Sequence, residues 1–263
     1  MSHVATEIDG PIAIVTLNNP ERHNAFDETL IADLTGELKA LDAREDVRVV
    51  VLSATGKSFS AGADLQWMWR MSGYSYDENL RDAGALGELM RTLHAMSKPT
   101  IARVQGPAYG GGVGLVACCD IAVGTGDAAF SLSEVKLGLI PAVISPYVIA
   151  AIGERAAHRY FLTAERFDAA EAYRLGLLHE LCRDEAAMDE TIKKLCASLL
   201  AAGPQAIGEA KRLISAVAGR SIDAALIADT AQRIARIRAG AEGKEGIGAF
   251  LAKRKAGWNI EKS

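Results

Sequence analysis

Cysteine, histidine and aromatic residues are all scarce in this sequence. The 263 residues include four cysteines, five histidines and 6% aromatic residues. Cys118, Cys119, Cys182 and Cys196 show no CxxC spacing, and adjacent cysteines seldom bond to each other. The histidines form no HxH or HxxxH pair. We therefore expect no metal site and a reduced, cytoplasmic protein.

The sequence also lacks an excess of positive charge and a long uninterrupted hydrophobic run. Its 29 Lys and Arg residues oppose 33 Asp and Glu residues, for a net charge of −4. Nucleic-acid binding needs clustered positive charge, so this balance argues against it. The most hydrophobic stretch, residues 137–153, is short for a membrane span and contains prolines, so we predict buried core there. The opening MSHVATEIDG lacks the apolar core of a secretory signal.

What remains is the pattern of an α/β protein. The content of 49% hydrophobic and 24% charged residues is that of a globular chain. Runs rich in Val and Ile predict strands at residues 11–17, 47–53 and 100–104, and further short strands within residues 121–134. Between the first two strands a helical pattern begins at Asp27, a good N-cap residue. The apolar residues on one face of that helix are Leu30, Ile31, Leu34, Leu38 and Leu41. From about residue 165 onward the helical period dominates.

The glycine cluster GPAYGGGVGLVACCD, residues 106–120, is the most informative segment. A strand, a glycine-rich turn and a helix start place free backbone N–H groups at the positive end of a helix dipole. A Walker A loop is excluded because no Lys follows the glycines. Three interpretations stay open: close helix–strand packing, an oxyanion or phosphate site, and dinucleotide binding. The last would use Gly112-x-Gly114-x-x-Ala117, with Glu134 as the acidic residue about 20 positions on.

A second glycine segment favours the oxyanion interpretation. GKSFSAGADL, residues 56–65, follows a predicted strand and ends where a helix is expected to begin. Two such turns can point two backbone N–H groups at one oxygen, and small residues keep the approach open. A dinucleotide-binding fold has no need of this second turn.

Six ordered segments carry a resemblance to a known family. They are NNPERHNAF, FSAGADLQWM, QGPAYGGGVGLVACCDIAVG, FSLSEVKLGLIPAVIS, FLTAERFDAAEAYRLGLL and GIGAFLAKRKAGW. Over nearly the whole chain, from about Ile12 to Trp258, the sequence resembles the crotonase (enoyl-CoA hydratase/isomerase) superfamily. SAGADLQWM and SEVKLGLIPAVISPYV are most similar to bacterial methylglutaconyl-CoA hydratases, which act in leucine degradation.

The resemblance implies an α/β crotonase-like spiral of ββα units. The spiral core with its acyl-CoA site would span residues 1–195. Residues 196–263 would form a C-terminal helical region that drives assembly into a homotrimer or a dimer of trimers. The implied partner is an acyl-CoA substrate, not a nucleic acid or a membrane. No metal or redox cofactor is implied, because the thioester itself activates the alkene.

The resemblance also assigns roles to particular residues. Ala63 and Gly111 would donate N–H groups to the thioester oxygen, and Glu134 would be the catalytic acid and base. Partial burial would raise the pKa of Glu134 toward the operating pH. The implied substrate-binding residues are His23, Ala25, Lys57, Ala61, Gly62, Asp64, Gly114, Phe250 and Lys253, the pair Phe250 and Lys253 reaching the CoA of a neighbouring subunit. An N-cap role is the alternative for Asp64.

The sequence departs from the family pattern at Gly114, where related hydratases carry the first of two glutamates; the second matches Glu134. We predict hydration of a branched 2-enoyl-CoA, with 3-methylglutaconyl-CoA giving 3-hydroxy-3-methylglutaryl-CoA as the leading case. The alternatives are isomerisation by Glu134 alone, general short-chain hydration, and a non-enzymatic RNA-binding or scaffold role. Residues 66–84 are predicted to be a polar, aromatic loop beside the acyl pocket, with Arg70 or Arg81 facing a distal carboxylate.

Overall fold

A computed structural model describes residues 3–259 of the chain. The strands in this range are β1 (Val4–Asp9), β2 (Ile12–Leu17), β3 (Val49–Ala54), β4 (Thr100–Val104), β5 (Ala108–Tyr109), β6 (Ile121–Thr125), β7 (Ala129–Ser131), β8 (Phe167–Asp168) and β9 (Glu180–Cys182). The helices are α1 (Glu28–Ala43), α2 (Leu65–Met71), α3 (Tyr76–Ala95), α4 (Gly111–Cys118), α5 (Ser145–Thr163), α6 (Ala169–Leu175), α7 (Glu185–Ala201), α8 (Pro204–Val217), α9 (Ala224–Ala239) and α10 (Ala241–Leu251). The first compact unit contains the chain up to Met96 and Thr100–Lys193, and the second contains Ser97–Pro99 and the chain from Lys194.

The main sheet has six strands in the order β1-β2-β3-β4-β6-β9. β1 pairs antiparallel with β2, and the remaining pairs are parallel. Every residue of β3 is buried, as expected of a central parallel strand covered on both faces. The predicted strand at residues 100–104 is confirmed by β4, and the two earlier predictions are right to within two residues. β1 was not predicted, because this exposed edge strand has little hydrophobic pattern.

The predicted helix after β2 is confirmed as α1. The side-chain Oδ1 of Asp27 accepts a hydrogen bond from the backbone N of Leu30 at 2.8 Å and so caps the helix. The five apolar residues predicted on its inner face are all buried. Local sequence and tertiary burial agree here, which is why the start and the buried face of this helix could be predicted.

A smaller sheet, β5-β7-β8, positions the glycine cluster. β5 runs parallel to β7, with Ala108 opposite Phe130 and Tyr109 opposite Ser131. The glycines that follow β5 and the residues that follow β7 therefore leave the sheet side by side. This register brings the turn at Gly110 close to Glu134.

The dinucleotide interpretation of the glycine cluster is wrong. Gly112, Gly114 and Ala117 lie inside helix α4, and the two glycines are buried there. In a dinucleotide-binding fold the corresponding glycines form the turn before the helix. In this protein the turn is formed by Gly110, one residue before α4 begins.

The predicted loop at residues 66–84 is also wrong, because this stretch is largely helical. α2 follows the N-cap residue Asp64, and α3 begins with a reciprocal capping box between Ser75 and Glu78. The S-x-x-E spacing is a helix-start signal, which the polar and aromatic composition of the segment obscured.

The hydrophobic stretch at residues 137–153 is only partly buried. Leu137, Leu139 and Ile140 are 59%, 53% and 73% exposed, whereas Ile144 and Val148 further along the segment are buried. The exposed part surrounds a turn at Gly138, whose φ of +72° changes the direction of the chain. None of the helices within residues 3–259 is long and apolar enough to cross a membrane.

The second unit consists mainly of helices α8, α9 and α10. The Glu242 carboxylate accepts hydrogen bonds from the backbone N–H groups of Gln205 and Ala206. These groups lie in the first turn of α8, where N–H groups have no partner within the helix. Several large apolar side chains of this unit are exposed to solvent. They are Leu213, Ile214, Ile222, Ile227, Ile234, Ile247, Phe250 and Leu251.

Candidate active site

Two strand-to-turn segments of the first unit run side by side, as the sequence predicted. One follows β3, the other follows β4, and they form a parallel bridge between Ser60 and Ala108. The backbone N of Tyr109 donates to the Ser60 carbonyl at 2.9 Å, and the N of Phe59 donates to the Pro107 carbonyl at 2.9 Å. These backbone hydrogen bonds hold the two turns in a defined register.

The close approach of the segments depends on glycine. A Cβ atom at Gly106 would lie 2.1 Å from the carbonyl oxygen of Lys57, and one at Gly62 would lie 2.9 Å from that of Tyr109. Gly62 also has a φ of +81°, which L side chains rarely adopt. The small residues in the two turns are therefore required by backbone contact between them.

The N–H group of Ala63, the first predicted donor, points away from the neighbouring segment that contains Phe26. Ala63 forms a parallel bridge with Phe26, in which Phe26 N donates to the Gly62 carbonyl and Asp64 N donates to the Phe26 carbonyl. Backbone groups alternate in direction along such a ladder, so the N–H of Ala63 itself points to the opposite side. It has no protein acceptor among residues 3–259.

The second predicted donor, Gly111, is the first residue of α4. The first N–H groups of a helix have no partner within the helix, and they lie at the positive end of its dipole. Gly110, the N-cap, adopts φ 48° and ψ −118° and donates its own N–H to the Ser131 carbonyl at 3.0 Å. This bond ties the turn to β7, while the N–H of Gly111 has no acceptor within the described part of the chain.

Glu134 follows β7 in the sequence, and its side chain packs against the turn at Gly110 that precedes α4. A Cβ atom at Gly110 would be 3.1 Å from the Oε1 atom of Glu134, so the carboxylate packs against the glycine next to Gly111. Its Oε2 atom is buried and has no hydrogen-bond partner within residues 3–259. Burial raises the pKa of Glu134, as the sequence analysis expected. A raised pKa makes a carboxylate a better proton acceptor, as a general acid–base group requires.

The raised pKa of Glu134 predicts a pH-dependent gain in stability for Glu134→Gln. When the folded-state pKa lies above the unfolded-state pKa, the stability contributed by the group is present at low pH and is lost as pH rises through the folded-state pKa. The variant should therefore melt at a higher temperature than the unmodified protein at neutral pH, and this gap should shrink as the pH falls. Thermal unfolding at several pH values checks the prediction. A gap that widened toward acid pH would contradict it.

Gly114 is buried in α4 beneath aliphatic side chains. A Cβ atom at this position would lie 2.3 Å from Cγ2 of Ile144 and 3.2 Å from Cε of Met90. The position to which the family resemblance assigns the first glutamate is therefore crowded by Ile144 and Met90. The predicted contact of Gly114 with substrate stays a prediction.

The predicted CoA contacts His23, Ala25, Lys57 and Ala61 gather around the turn after β3. The Nδ1 atom of His23 lies 3.0 Å from the Ser58 hydroxyl, and its carbonyl accepts a hydrogen bond from the N of Ala61 at 2.9 Å. His23 and Lys57 are exposed, and the two alanines are partly exposed. The structure thus places these residues together, and their binding of CoA stays a prediction.

Asp64 serves as a helix cap. Its Oδ1 atom accepts hydrogen bonds from the backbone N of Gln66 and of Trp67, and its Oδ2 atom pairs with Arg22 at 3.1 Å. The N-cap alternative for Asp64 is confirmed. A contact between Asp64 and CoA stays a prediction.

Phe250 and Lys253 belong to the second unit. Phe250, in α10, is 83% exposed, and Lys253 is exposed with a φ of +53°. Both side chains are therefore accessible to solvent in the single chain. Their contact with the CoA of a neighbouring subunit stays a prediction.

The two candidate cations for a distal carboxylate differ in their surroundings. Arg70 pairs with Glu28 at 2.6 Å, and Tyr74 donates to the same carboxylate at 3.3 Å. Arg81 is exposed on α3. A substrate carboxylate would therefore compete with Glu28 for Arg70, but it would find Arg81 open to solvent.

Two buried amide side chains at the site were missed by the sequence analysis. Asn24 is fully buried and Gln105 is 7% exposed, and both donate hydrogen bonds to backbone carbonyls of residues 55–58. Both lie in segments that carried the family resemblance. Their burial could not be read from the sequence, because Asn and Gln are mostly exposed.

Comparison with known proteins identifies the family. The enoyl-CoA hydratase/isomerase family profile matches residues 7–261. The crystal structure of an enoyl-CoA hydratase from Shewanella pealeana has a TM-score of 0.95 and 44% identity, covering 97% of this chain and 96% of that chain. A crotonyl-CoA hydratase of Syntrophomonas wolfei is 31% identical, covering 97% of this chain and 96% of that protein. A short-chain-enoyl-CoA hydratase of Clostridium acetobutylicum is 30% identical, covering 97% of each.

The chain belongs to the enoyl-CoA hydratase/isomerase family. The predicted crotonase-like α/β fold is confirmed, and so is the prediction of an enzyme of the enoyl-CoA hydratase type.

Proposed function

We propose that the protein adds water across the double bond of a 2-enoyl-CoA thioester. The observation that carries the proposal is the position of Glu134, whose carboxylate packs against Gly110, next to Gly111, with a buried Oε2 atom that has no hydrogen-bond partner within residues 3–259. The names of the relatives support the same reaction.

In this reaction Glu134 acts first as a base and then as an acid. Its carboxylate takes a proton from water as the water oxygen bonds to the β carbon. The alkene electrons move toward the thioester oxygen, where the N–H groups of Ala63 and Gly111 stabilise the enolate. Protonated Glu134 then gives its proton to the α carbon. The net change is addition of one water, and Glu134 returns to its starting state.

The narrower proposal is a branched, dicarboxylic substrate, 3-methylglutaconyl-CoA. It is supported by the resemblance of residues 60–68 and 133–148 to bacterial methylglutaconyl-CoA hydratases. Arg81 is the more available partner for the distal carboxylate, because Arg70 is already paired with Glu28. An Arg–carboxylate contact that loses its water can be bidentate and specific, whereas an exposed one contributes little.

Incubation of a substrate panel in heavy-oxygen water tests both levels of the proposal. Crotonyl-CoA and 3-methylglutaconyl-CoA should each gain label at the β carbon, with the dicarboxylic substrate preferred. Arg81→Ala should reduce that preference, and Arg70→Ala serves as the comparison variant. Equal or better turnover of crotonyl-CoA would contradict the dicarboxylic proposal and leave general enoyl-CoA hydration in place.

Double-bond isomerisation is the second candidate, and one observation favours it. The space around Gly114 is occupied by Ile144 and Met90, which leaves Glu134 as the carboxylate at the turn. A single carboxylate can shuttle one proton between two carbons. In that case a 3-enoyl-CoA would change its double-bond position in the same assay without gaining heavy oxygen.

We propose in addition that the protein assembles as a homotrimer or a dimer of trimers. The exposed apolar residues of the second unit, among them Ile214, Ile222 and Phe250, support this assembly. Large apolar patches on a protein surface mark interaction sites. A cytoplasmic location remains a prediction.

A further inference from the structure

We propose that Gln105 is a positioning residue, which fixes the backbone turn that leads to the oxyanion donor Ala63. The inference rests on the proposed function, because that function assigns the N–H of Ala63 to the thioester oxygen. Gln105 would not touch the substrate. It would act through residues 55–58.

The amide of Gln105 ties together two carbonyl groups of this turn. Its Nε2 atom donates to the carbonyl oxygens of Gly56 and Ser58, each at 3.1 Å. Asn24 adds a second clamp: its Nδ2 atom donates to the carbonyls of Thr55 and Ser58 at 2.9 and 3.0 Å. The Ser58 carbonyl therefore accepts from both amides, and three of the four carbonyls in residues 55–58 are held by buried side chains.

Hydrogen bonds continue from the clamped turn toward Ala63. The hydroxyl of Ser60 donates to the Asn24 carbonyl at 2.9 Å and accepts from the backbone N of Gly62 at 3.2 Å. Gly62 directly precedes Ala63. A shift of the turn would therefore be transmitted to the direction of the Ala63 N–H.

Gln105 is itself held by the sheet. It follows β4 directly, and its carbonyl accepts a hydrogen bond from the buried hydroxyl of Thr125 at 3.2 Å. The same chain continues through the bridge at Ala108 to the other donor, Gly111. Gln105 thus links the turn of the first donor to the segment that carries the second.

One feature of Gln105 limits its contribution to the stability of the fold. The Oε1 atom of Gln105 is buried without a hydrogen-bond partner within residues 3–259. An unpaired buried acceptor is unfavourable, so the side chain stabilises the fold less than its two donated bonds suggest. Gln105→Met has a similar length and removes both the donors and the unpaired acceptor. Its effect on stability should be small.

The test compares Gln105→Met with Thr100→Val, each as the single change in the chain. Gln105→Met should lower kcat by about tenfold or more, since a misplacement of about 1 Å can cost 10² in rate. The KM should change much less than kcat. An aryl-substituted enoyl-CoA, whose absorption shifts to longer wavelength when its carbonyl is polarised, should show a smaller shift on the variant.

Thr100→Val is the matched control, because Thr100 lies on β4, the strand that Gln105 directly follows. Thr100 is fully buried and its hydroxyl bonds to Asp120 at 3.0 Å, so this variant should lose stability while it keeps kcat and the spectral shift. The proposal is overturned if Gln105→Met keeps both kcat and the shift, or if Thr100→Val, at a similar loss of melting temperature, loses kcat and the shift to the same extent as Gln105→Met.

A second variant, Gln105→Glu, tests the proposal if Gln105→Met does not fold. Gln105→Glu keeps the shape, and only its protonated form can donate a hydrogen bond. Its kcat, relative to the unmodified protein, should fall as pH rises, and a flat ratio would overturn the proposal. Absence of turnover by the unmodified protein would instead refute the proposed function, while the spectral shift would still test how Gln105 positions the donor.

Discussion

Glu134→Gln is expected to lower the turnover of a 2-enoyl-CoA by at least about 10², the low end for a general acid–base group. The amide has nearly the shape of the carboxylate, but it can neither remove a proton from water nor return one to the α carbon. Binding of the acyl-CoA should persist, because the proposed oxyanion donors are backbone N–H groups, those of Ala63 and Gly111. Steady-state turnover and a separate measurement of acyl-CoA binding check the two halves of this result.

Glu180→Gln is the matched control for this substitution. Glu180 is exposed on β9, so the same chemical change there should leave turnover unaltered. Near-normal turnover of Glu134→Gln would remove the carboxylate from the mechanism, whatever the substrate.

Gly111→Pro is expected to reduce turnover by about 10²–10³, the usual effect of losing one oxyanion donor. Proline has no N–H, and the first position of a helix is where a helix tolerates it best. Gly111 occupies that position in α4. Turnover measurements, with circular dichroism to show that the fold is intact, check the prediction.

Gly111→Ala separates loss of the N–H from crowding. A Cβ atom at Gly111 would lie 2.5 Å from Cε2 of the buried Phe26 ring, so both substitutions disturb that ring. Alanine retains the N–H, and its activity should therefore lie clearly above that of proline. If folded Gly111→Pro and Gly111→Ala were equally active, the Gly111 N–H would have no part in the reaction.

Several elements were predictable because local signals and tertiary burial agree in them. Helix α1 has a capping Asp27 and a complete apolar face, and β4 is a short buried run of apolar residues. Glu134 could be singled out because it matches a family position and lies between two apolar segments. The prediction that it would be partly buried is confirmed.

Other elements could not be recognised from the composition of their own segment. Helices α2 and α3 replaced a predicted loop, because capping by Asp64 and Ser75 outweighed a polar and aromatic sequence. Leu137 and Ile140 are exposed although their segment is among the most hydrophobic of the chain. Hydrophobicity predicts a tendency toward burial, but the path of the chain determines which residues are covered.

The sequence by itself determined the family and the two glycine turns, and it singled out Glu134 as the candidate carboxylate. It could do so because motifs of fixed spacing reflect what the local backbone conformation requires. Only the tertiary structure decided how these parts meet. The glycines allow backbone contact between the turn after β3 and the turn after β4, which are far apart in the chain. Ile144 fills the space at Gly114, and Gln105 reaches carbonyls 47 and 49 residues away. Such contacts depend on the packing of distant segments, and no local pattern of residues encodes them.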